Sequence, residues 1–371
     1  MSLLSASSSE ARLLHRRRPS AHEQRRVGTQ GACTRPAGWA QLNVRELRQP
    51  AALIFNPNAG QKLGVSTNAG STDDVQAALH AEGISFEAWP TERAGHATEL
   101  AQEAVRQHRE LVIAAGGDGT VNEVAQGLAE SETVLALMPL GSIMNIARTL
   151  WVPRDLPLAA RTIAEGKVLA MDMGHVGERF FLEAAGVGLD AGLFGYFERL
   201  EKGASRLAVL RAVVRFIRQL GSPRLTLEYD GGRVQARAPM VRIANGPYVG
   251  AAYAIAPGAR IDDGLLDVVL FRQASIPRVL LHLALIAGGR PLPPPPQSRT
   301  VRTGRVRISR ARGRPLPVHA DGDPCGVTPV EMFAAPGALR VIVGPPEESG
   351  ICAWEVVGPV ASAEPAREQQ E

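Results

Sequence analysis

The chain has 371 residues, of which 45% are hydrophobic, and it carries a formal net charge of +4 with a sequence pI near 9.2. This length predicts two domains with substantial cores. The small positive excess suits an anionic nucleotide or an anionic membrane face, and nucleic-acid-binding proteins are usually more basic. The three cysteines lie far apart without metal-binding spacing, which predicts a reducing compartment and no disulfide framework. The apolar runs are shorter than the roughly 18 residues of a transmembrane helix.

The first 49 residues are rich in serine and arginine and lack the apolar periodicity of a core element. This composition predicts a disordered tail over residues 1–49. We interpret it as a dispensable segment or an over-extended start of the reading frame, with an organelle targeting signal as the alternative.

Apolar strand-like runs alternate with helical patterns over residues 50–171. Strands are predicted at 51–56, 86–90, 111–115 and 134–139, and helices at 74–82, 97–108, 121–129 and 156–165. This βαβα rhythm predicts a parallel, helix-covered sheet of the α/β class, whose ligand lies beyond the carboxyl ends of the strands. The first domain is therefore predicted to bind a nucleotide.

The character of the chain changes over residues 172–344. Short strand-like pieces separated by Gly, Pro and Asp turns predict a second, mainly antiparallel β domain. A last strand at 339–343 fits either domain. The chain then turns acidic and polar, which predicts a second disordered tail over residues 345–371.

The most informative segment is 111–123, where an apolar strand ends in glycines around a single acid, Asp118, before a helix. Glycines let backbone N–H groups approach an anion closely, and the helix dipole points its positive end at the same place. Because a bare carboxylate repels phosphate, Asp118 fits there with a cation between them or as an acceptor for neighbouring donors. Thr120 and Glu123 have capping-box spacing, which predicts where the helix starts. The segment therefore predicts a site for a Mg²⁺-nucleotide, with a plain glycine-rich turn as the alternative.

Six short motifs follow one another between about residue 50 and residue 345. They are Asn56-Pro57-Asn58-Ala59-Gly60, Thr91 with Gly95-His96-Ala97, Gly116-Gly117-Asp118-Gly119-Thr120, Pro139-Leu140-Gly141-Ser142, Asp262-Asp263-Gly264-Leu265-Leu266-Asp267 and Asp321-Gly322-Asp323-Pro324. In this order they resemble the diacylglycerol kinase catalytic-domain family, which also holds sphingosine, ceramide and bacterial lipid kinases. The glycine-rich loop alone also resembles NAD kinases. The resemblance implies a two-domain NAD kinase/diacylglycerol kinase-like fold.

The resemblance further implies an ATP- and Mg²⁺-dependent lipid kinase. The positions that match the family's ATP-binding residues are Asn56, Thr91, Gly116, Gly117, Asp118, Gly119, Thr120, Val121, Asn122 and Ser142. Ser142 replaces the usual Thr and keeps a hydroxyl oxygen. Met144-Asn145 stands where the family commonly has Asn-Asp or Asn-His, which leaves position 145 without a carboxylate. For each hydroxyl, a helix cap or a turn bond is an equally good interpretation.

Two aspartates are implied as catalytic, Asp118 in the nucleotide loop and Asp321 as the general base. Asp321 resembles the aspartate that takes the proton of the acceptor hydroxyl in this family. Phosphoryl transfer depends mostly on positioning and charge neutralisation, so an aspartate base needs no unusual pKa. From the residues alone, a turn with a solvated acid is the alternative.

A second Mg²⁺ site, structural in bacterial relatives, is implied by the carboxylate of Asp263 and the backbone carbonyls of Arg260 and Leu265. Hard oxygen ligands are what this cation prefers. The alternative is a tight loop in which Asp263 and the glycine after it form a turn.

The lipid substrate is expected at a membrane surface. Leu207, Leu210, Val214 and Ile217 recur at helical spacing among arginines, a basic amphipathic pattern that fits an anionic bilayer, with an ordinary surface helix as the alternative. We expect a cytoplasmic protein, with a peripheral place on the inner membrane face as a further option, and no nucleic-acid partner.

The acceptor is expected to be a diacylglycerol-like or sphingoid lipid, phosphorylated on a hydroxyl. One alternative is a soluble small-molecule kinase of the NAD kinase type, although the chain lacks that family's second Asn-Glu acceptor motif. The other is a non-catalytic lipid- or nucleotide-binding regulator, which only Met144-Asn145 favours. The sequence leaves the identity of the lipid and the oligomeric state open.

Overall fold

The computed structural model describes residues 40–57, 61–62, 65–66, 70–141, 144–189, 191–192, 205, 208, 211–212, 214–215, 218, 221–249, 253–254, 256–271 and 298–345. These residues belong to one unit of the chain, Arg35–Glu371. Ser142 of the predicted nucleotide site lies outside the described residues, as do Leu207, Leu210 and Ile217 of the predicted amphipathic helix. The predicted tail after residue 345 and the first 39 residues lie outside them as well.

The described residues form twenty-one strands and five α-helices. In chain order these are β1 (Ala40–Gln41), β2 (Ala51–Phe55), β3 (Gln61–Lys62), β4 (Val65–Ser66), α1 (Thr72–Ala81), β5 (Phe86–Pro90), α2 (His96–Arg106), β6 (Leu111–Gly116), α3 (Asp118–Leu128), β7 (Val134–Pro139), α4 (Asn145–Thr149), α5 (Leu156–Glu165), β8 (Lys167–Val176), β9 (Arg179–Phe181), β10 (Ala184–Gly188), β11 (Arg224–Tyr229), β12 (Gly232–Arg237), β13 (Met240–Ala244), β14 (Tyr248–Val249), β15 (Tyr253–Ala254), β16 (Leu266–Phe271), β17 (Ser298–Thr303), β18 (Arg305–Arg310), β19 (Pro317–Ala320), β20 (Asp323–Val327) and β21 (Val330–Ile342). No helix among them has the length and apolar composition needed to cross a bilayer.

The predicted parallel α/β domain is confirmed. Strands β5, β2, β6 and β7 lie side by side in that order and pair in parallel. Every residue of β6 and β7 is buried, as expected for parallel strands that are covered on both faces. Because these four strands point the same way, the loops that follow them meet at one edge of the sheet.

The predicted antiparallel second domain is confirmed too. A six-stranded sheet runs in the order β17-β16-β13-β10-β19-β20, with antiparallel pairing throughout. Its buried side chains, such as Val187 and Val241, pack in one core with Leu227 of β11 and Ile308 of β18, which belong to the first sheet. The second domain is therefore a β sandwich that shares a sheet with the first.

Strand β21 belongs to both domains. Its first residues pair antiparallel with β18, and Arg340 and Val341 pair in parallel with β7 of the first domain. Along most of its length it also pairs antiparallel with β8, with an irregularity between Ala335 and Leu339. The last strand, which the sequence left unassigned, thus continues one eleven-stranded sheet across the domain boundary.

The ordered chain begins before the predicted boundary at residue 50. Strand β1 pairs with β8, the Leu42 N–H donates to the Gly166 carbonyl at 2.9 Å, and Val44 is buried in the main core. The prediction of disorder is therefore wrong for residues 40–49. The mainly polar sequence before this stretch masked its three apolar contacts with the core, those of Leu42, Val44 and Leu47.

Candidate functional site

A glycine-lined cradle forms where the loops after β6 and β7 meet. The Leu140 N–H donates to the Gly116 carbonyl at 2.9 Å, which joins the two loops. A Cβ placed on Gly141 would lie 2.8 Å from the Gly117 Cα, so this close approach requires glycine. The Arg154 guanidinium donates to the Gly141 carbonyl at 2.7 Å and brings positive charge to the same edge. The cradle therefore lies where open α/β sheets bind ligands.

The predicted capping box in this segment is wrong. Helix α3 begins at Asp118, with Gly117 as its N-cap, and not at Thr120. The Glu123 carboxylate instead accepts from the Ala97 N–H at 3.3 Å, at the start of α2. Spacing alone could not show this, because the competing donor lies 26 residues away along the chain. As a result Asp118 lies in the first helical turn, where the helix dipole stabilises a carboxylate.

Asp118 faces the short helix α4. The Ile146 N–H donates to Asp118 Oδ1 at 3.3 Å, and Met144 takes a left-handed conformation with a φ of 53° at the N-cap. Burial raises the pKa of Asp118, while the backbone N–H groups of residues 144–146 and the charge of Arg148 lower it. The carboxylate is therefore enclosed but well supplied with donors.

Some of the other residues predicted to bind the nucleotide lie at the same edge of the sheet, and others lie within α3. Asn56 follows β2 and Thr91 follows β5, and the Thr91 N–H donates to the Phe55 carbonyl at 2.8 Å. Val121 is fully buried in the core, and the amide oxygen of Asn122 accepts from Gln126 at 3.2 Å. The side chains of Val121 and Asn122 therefore serve the packing of α3, and Gly119 and Thr120 lie in its first turn.

Asp321 lies on the β-sandwich side of the site, in the turn between β19 and β20. Its backbone has a φ of 47°, and its carboxylate accepts three backbone N–H groups. These come from Leu182 at 2.7 Å to Oδ2, and from Glu183 at 3.0 Å and Ala184 at 2.9 Å to Oδ1. Burial raises the pKa of Asp321, and the three N–H groups lower it. The carboxylate thus fixes the β9–β10 connection.

Glu183 is a site residue that the sequence analysis missed. The Asn145 side-chain amide donates to Glu183 Oε2 at 2.9 Å, which links the two domains. Burial raises the pKa of Glu183 well above its usual value, and the charges of Asp118 and Asp321 add to this. An acid within the apolar stretch 180–185, together with the missing carboxylate at position 145, was the available signal.

The pKa of Glu183 makes a prediction for stability. Because its pKa is raised in the folded protein, the unfolded chain loses this proton first as the pH rises, so Glu183 lowers the free energy of unfolding progressively above pH about 4. We expect Glu183→Gln to be more stable than the wild type at pH 8, with a smaller gain at pH 5. Each pH unit contributes at most about 1.4 kcal/mol. Urea denaturation at both pH values measures this.

The matched control is Glu178→Gln, which makes the same chemical change at an exposed turn. It is expected to leave the free energy of unfolding unchanged at both pH values. A Glu183→Gln protein that is less stable than the wild type at pH 8 contradicts the assignment of a raised pKa.

The residues implied for a structural Mg²⁺, Arg260, Asp263 and Leu265, lie in the loop before β16, where the side chain of Asp263 has protein partners. Asp263 forms an ion pair with Arg302, whose guanidinium also lies 3.4 Å from Asp267 Oδ2. Asp263 Oδ1 accepts from the Leu265 N–H at 3.1 Å, and the side chain of Arg260 pairs with Asp262. The described residues contain no group of three acids, histidines or cysteines placed to hold a metal. The guanidinium of Arg302 supplies positive charge beside Asp263, and the Mg²⁺ site at Arg260, Asp263 and Leu265 stays a prediction.

Removing that guanidinium has a predicted cost. Arg302→Ala leaves the buried Asp267 beside Asp263 without a counter-charge, so we expect a loss of about 1–2 kcal/mol in the free energy of unfolding, since Arg302 is partly exposed. Millimolar Mg²⁺ is expected to restore part of the loss in the variant and to leave the wild type unchanged. Chemical denaturation with and without Mg²⁺ measures both. Arg305→Ala, which breaks an exposed pair with Glu331, is the control and is expected to leave the free energy of unfolding nearly unchanged.

Together these features define a class of protein with a glycine-lined cradle on an α/β domain and an acid-bearing β sandwich that shares the large sheet of that domain. Two family models match the chain, the diacylglycerol kinase catalytic domain over residues 50–176 and the YegS C-terminal NAD kinase beta sandwich-like domain over residues 184–343. The chain belongs to the diacylglycerol kinase catalytic-domain family.

Individual relatives agree with this assignment. A diacylglycerol kinase of Bacillus subtilis is 27% identical over 297 residues, which are 79% of this chain and 96% of the relative. One of Staphylococcus saprophyticus is 29% identical over 244 residues, 65% of this chain and 78% of the relative. The crystal structure of a diacylglycerol kinase from Bacillus anthracis covers 80% of this chain and 97% of its own, with a TM-score of 0.60 at 24% identity. That structure shares the fold.

Proposed function

We propose that this protein is an ATP- and Mg²⁺-dependent lipid kinase that phosphorylates a hydroxyl of a diacylglycerol-like or sphingoid lipid. The observation that carries the proposal is the cradle of Gly116, Gly117 and Gly141 next to Asp118, whose charge acts together with that of Asp321 on the carboxylate of Glu183. The relatives named diacylglycerol kinase support a lipid as the acceptor.

The residues of the cradle fit a nucleotide with a divalent cation. Mg²⁺ in kinases is commonly held by one or two carboxylates together with the substrate phosphates, and Asp118 offers such a carboxylate at the start of α3. Asn145 Oδ1 is buried and has no hydrogen-bond partner among the described residues, so it is available to a water held by the cation. When bound, the cation neutralises phosphate charge. Arg154 and the N-terminus of α3 add to that neutralisation.

The chain's own residues then do three things. The glycine loops place backbone N–H groups against the phosphates, Asp118 orders the metal-bound nucleotide, and a carboxylate on the sandwich side takes the proton of the acceptor hydroxyl. Asp321 is the residue that the sequence analysis predicted for this last role. The site lies between the two domains, so a nucleotide on one side and a lipid on the other would meet at the carboxylates.

Exposed arginines support a peripheral location on the inner membrane face. Arg211, Arg215 and Arg218 are exposed in the described part of the segment 205–218, at helical spacing. Anionic lipids attract such residues by about 1 kcal/mol each. The protein would thereby take its lipid at the membrane surface while the rest of the chain remains in the cytoplasm.

The test is incubation with γ-labelled ATP and, in separate reactions, NAD or a panel of diacylglycerol, sphingosine and ceramide in anionic vesicles, followed by extraction and analysis of both phases. We expect a labelled product in the organic phase with at least one lipid. Label transferred to NAD alone would establish the soluble kinase, and ATP binding without any transfer would establish a regulator. Asp73→Asn, an acid-to-amide change in an exposed first helical turn, is the control variant and should transfer label as the wild type does.

A further inference from the structure

A hydrogen-bonded path joins the nucleotide loop to the turn that holds Asp321. Asp118 Oδ1 accepts from the Ile146 N–H at 3.3 Å, and the neighbouring Asn145 amide donates to Glu183 Oε2 at 2.9 Å. The Glu183 N–H in turn donates to Asp321 Oδ1 at 3.0 Å. Glu183 is therefore the middle member of the three carboxylates and the one bonded to both domains.

The carboxylates of Asp321 and Glu183, both on the sandwich side, differ in the number of hydrogen bonds that they accept. A carboxylate offers about four lone-pair positions, and three backbone N–H groups fill most of those of Asp321. In the described part of the chain, the Glu183 carboxylate accepts from one side chain, that of Asn145. Donors that bind the charged form make it a weaker base, so Asp321 is the poorer acceptor of a substrate proton.

The backbone around Glu183 is held firmly. Its carbonyl accepts the Asn245 N–H at 2.9 Å and the Gly246 N–H at 3.2 Å, while its own N–H is bound by Asp321. The Asn245 side chain also donates to the carbonyl of Leu182 at 3.0 Å. These bonds fix the backbone of Glu183, and the Asn145 amide holds its carboxylate. The side chain therefore needs no rearrangement before it accepts a proton.

We propose that Glu183 is the catalytic base of the kinase reaction and that Asp321 is a positioning residue that holds Glu183 in place. The O–H bond of the acceptor breaks and its proton passes to Oε1 of Glu183, the oxygen that does not accept from Asn145. The hydroxyl oxygen forms a bond to the γ-phosphorus while the bond from that phosphorus to the bridging oxygen of ADP breaks. Glu183 then releases the proton to solvent. This inference rests on the proposed lipid kinase function.

The charged groups around this carboxylate are consistent with the role. The positive charge of Arg242 in β13 lowers the pKa of Glu183, and the negative charge of Asp118 in α3 raises it. Burial raises the pKa of Glu183, which brings its basicity closer to neutral pH. His319 of β19 acts on Asp321 and stabilises the charged form of that neighbour.

The test measures single-turnover phosphoryl transfer, ATP affinity and thermal stability for Glu183→Gln, with Glu178→Gln as the matched control. We expect Glu183→Gln to slow transfer by about a hundredfold or more, with ATP affinity preserved and a melting temperature at or above that of the wild type. The control should be unchanged in all three. A Glu183→Gln protein that keeps more than a tenth of the wild-type rate overturns the proposal.

A second pair of variants separates a base from a structural residue. In Glu183→Ala, added formate is expected to restore part of the rate in a concentration-dependent manner, because a small carboxylate can occupy the vacated space. In Asp321→Ala, formate is expected to have no effect. Rescue of Asp321→Ala without rescue of Glu183→Ala would assign the base to Asp321 and overturn the proposal. A wild-type protein that transfers no label to any lipid overturns the proposed function instead, which is a separate result.

Discussion

Replacing Asp118 with Asn is expected to reduce phosphoryl transfer by at least about a hundredfold, the largest loss that we predict for a single change at the nucleotide loop. Asn keeps the size of the side chain and the hydrogen bond from the Ile146 N–H, but it removes the negative charge that orders a divalent cation. The loss should therefore appear in the chemical step. Single-turnover kinetics at saturating Mg²⁺ and ATP measure it.

The fold should survive this change. Burial raises the pKa of Asp118, so its ionised form already costs the folded state some stability, and an uncharged amide removes that cost. We expect the melting temperature of Asp118→Asn to match or exceed that of the wild type. Asp73→Asn makes the same substitution in the exposed first turn of α1 and serves as the control. Near-normal turnover in Asp118→Asn would remove Asp118 from the nucleotide site.

Asp321→Asn is expected to lower stability and activity together. An amide can accept through one oxygen, whereas the carboxylate accepts from Leu182 through Oδ2 and from two further N–H groups through Oδ1. The N–H left facing the amide nitrogen loses its partner in an enclosed site, which costs about 1–3 kcal/mol. Urea denaturation should show this loss, and the rate of transfer should fall because Glu183 is displaced.

Asp323→Asn is the matched control for that variant. Asp323 lies two residues further along the same turn and is exposed, where it pairs with Arg179 at 2.7 Å. Exposed pairs of this kind contribute about 1 kcal/mol or less, so we expect little change in stability. If Asp321→Asn were as stable as Asp323→Asn, Asp321 would be an ordinary turn residue. Its three backbone hydrogen bonds would then contribute nothing to the free energy of unfolding.

Local chemistry made much of this fold predictable. Alternating apolar strands and helices indicate a parallel sheet because both faces of each strand must be covered, and β6 and β7 are buried throughout. The predicted helix at residues 156–165 coincides with α5, whose Asp155 accepts from the Leu158 N–H as an N-cap. Features that depend on neighbouring residues in the chain were therefore accessible.

Features that depend on residues far apart in the chain could not be predicted from the sequence. Glu123 has the spacing of a capping box but bonds to α2, and Glu183 gains its role only when α4 and the turn at Asp321 are brought beside it. Arg302 likewise reaches Asp263 from a strand 39 residues away. Each of these side chains has a plausible local role in the sequence, and only the tertiary structure shows which partner it has.

The shared strand β21 has a consequence for how this protein can be divided. A fragment that ends at residue 176 would keep β7 but lose its parallel neighbour at Arg340 and Val341, and it would expose a hydrophobic sheet edge prone to aggregation. Losing β21 would open the sandwich and the parallel part of the large sheet at once. We therefore expect the two sequence modules to unfold together, and an exchange of either with a homologue's module to require the exchange of β21 as well.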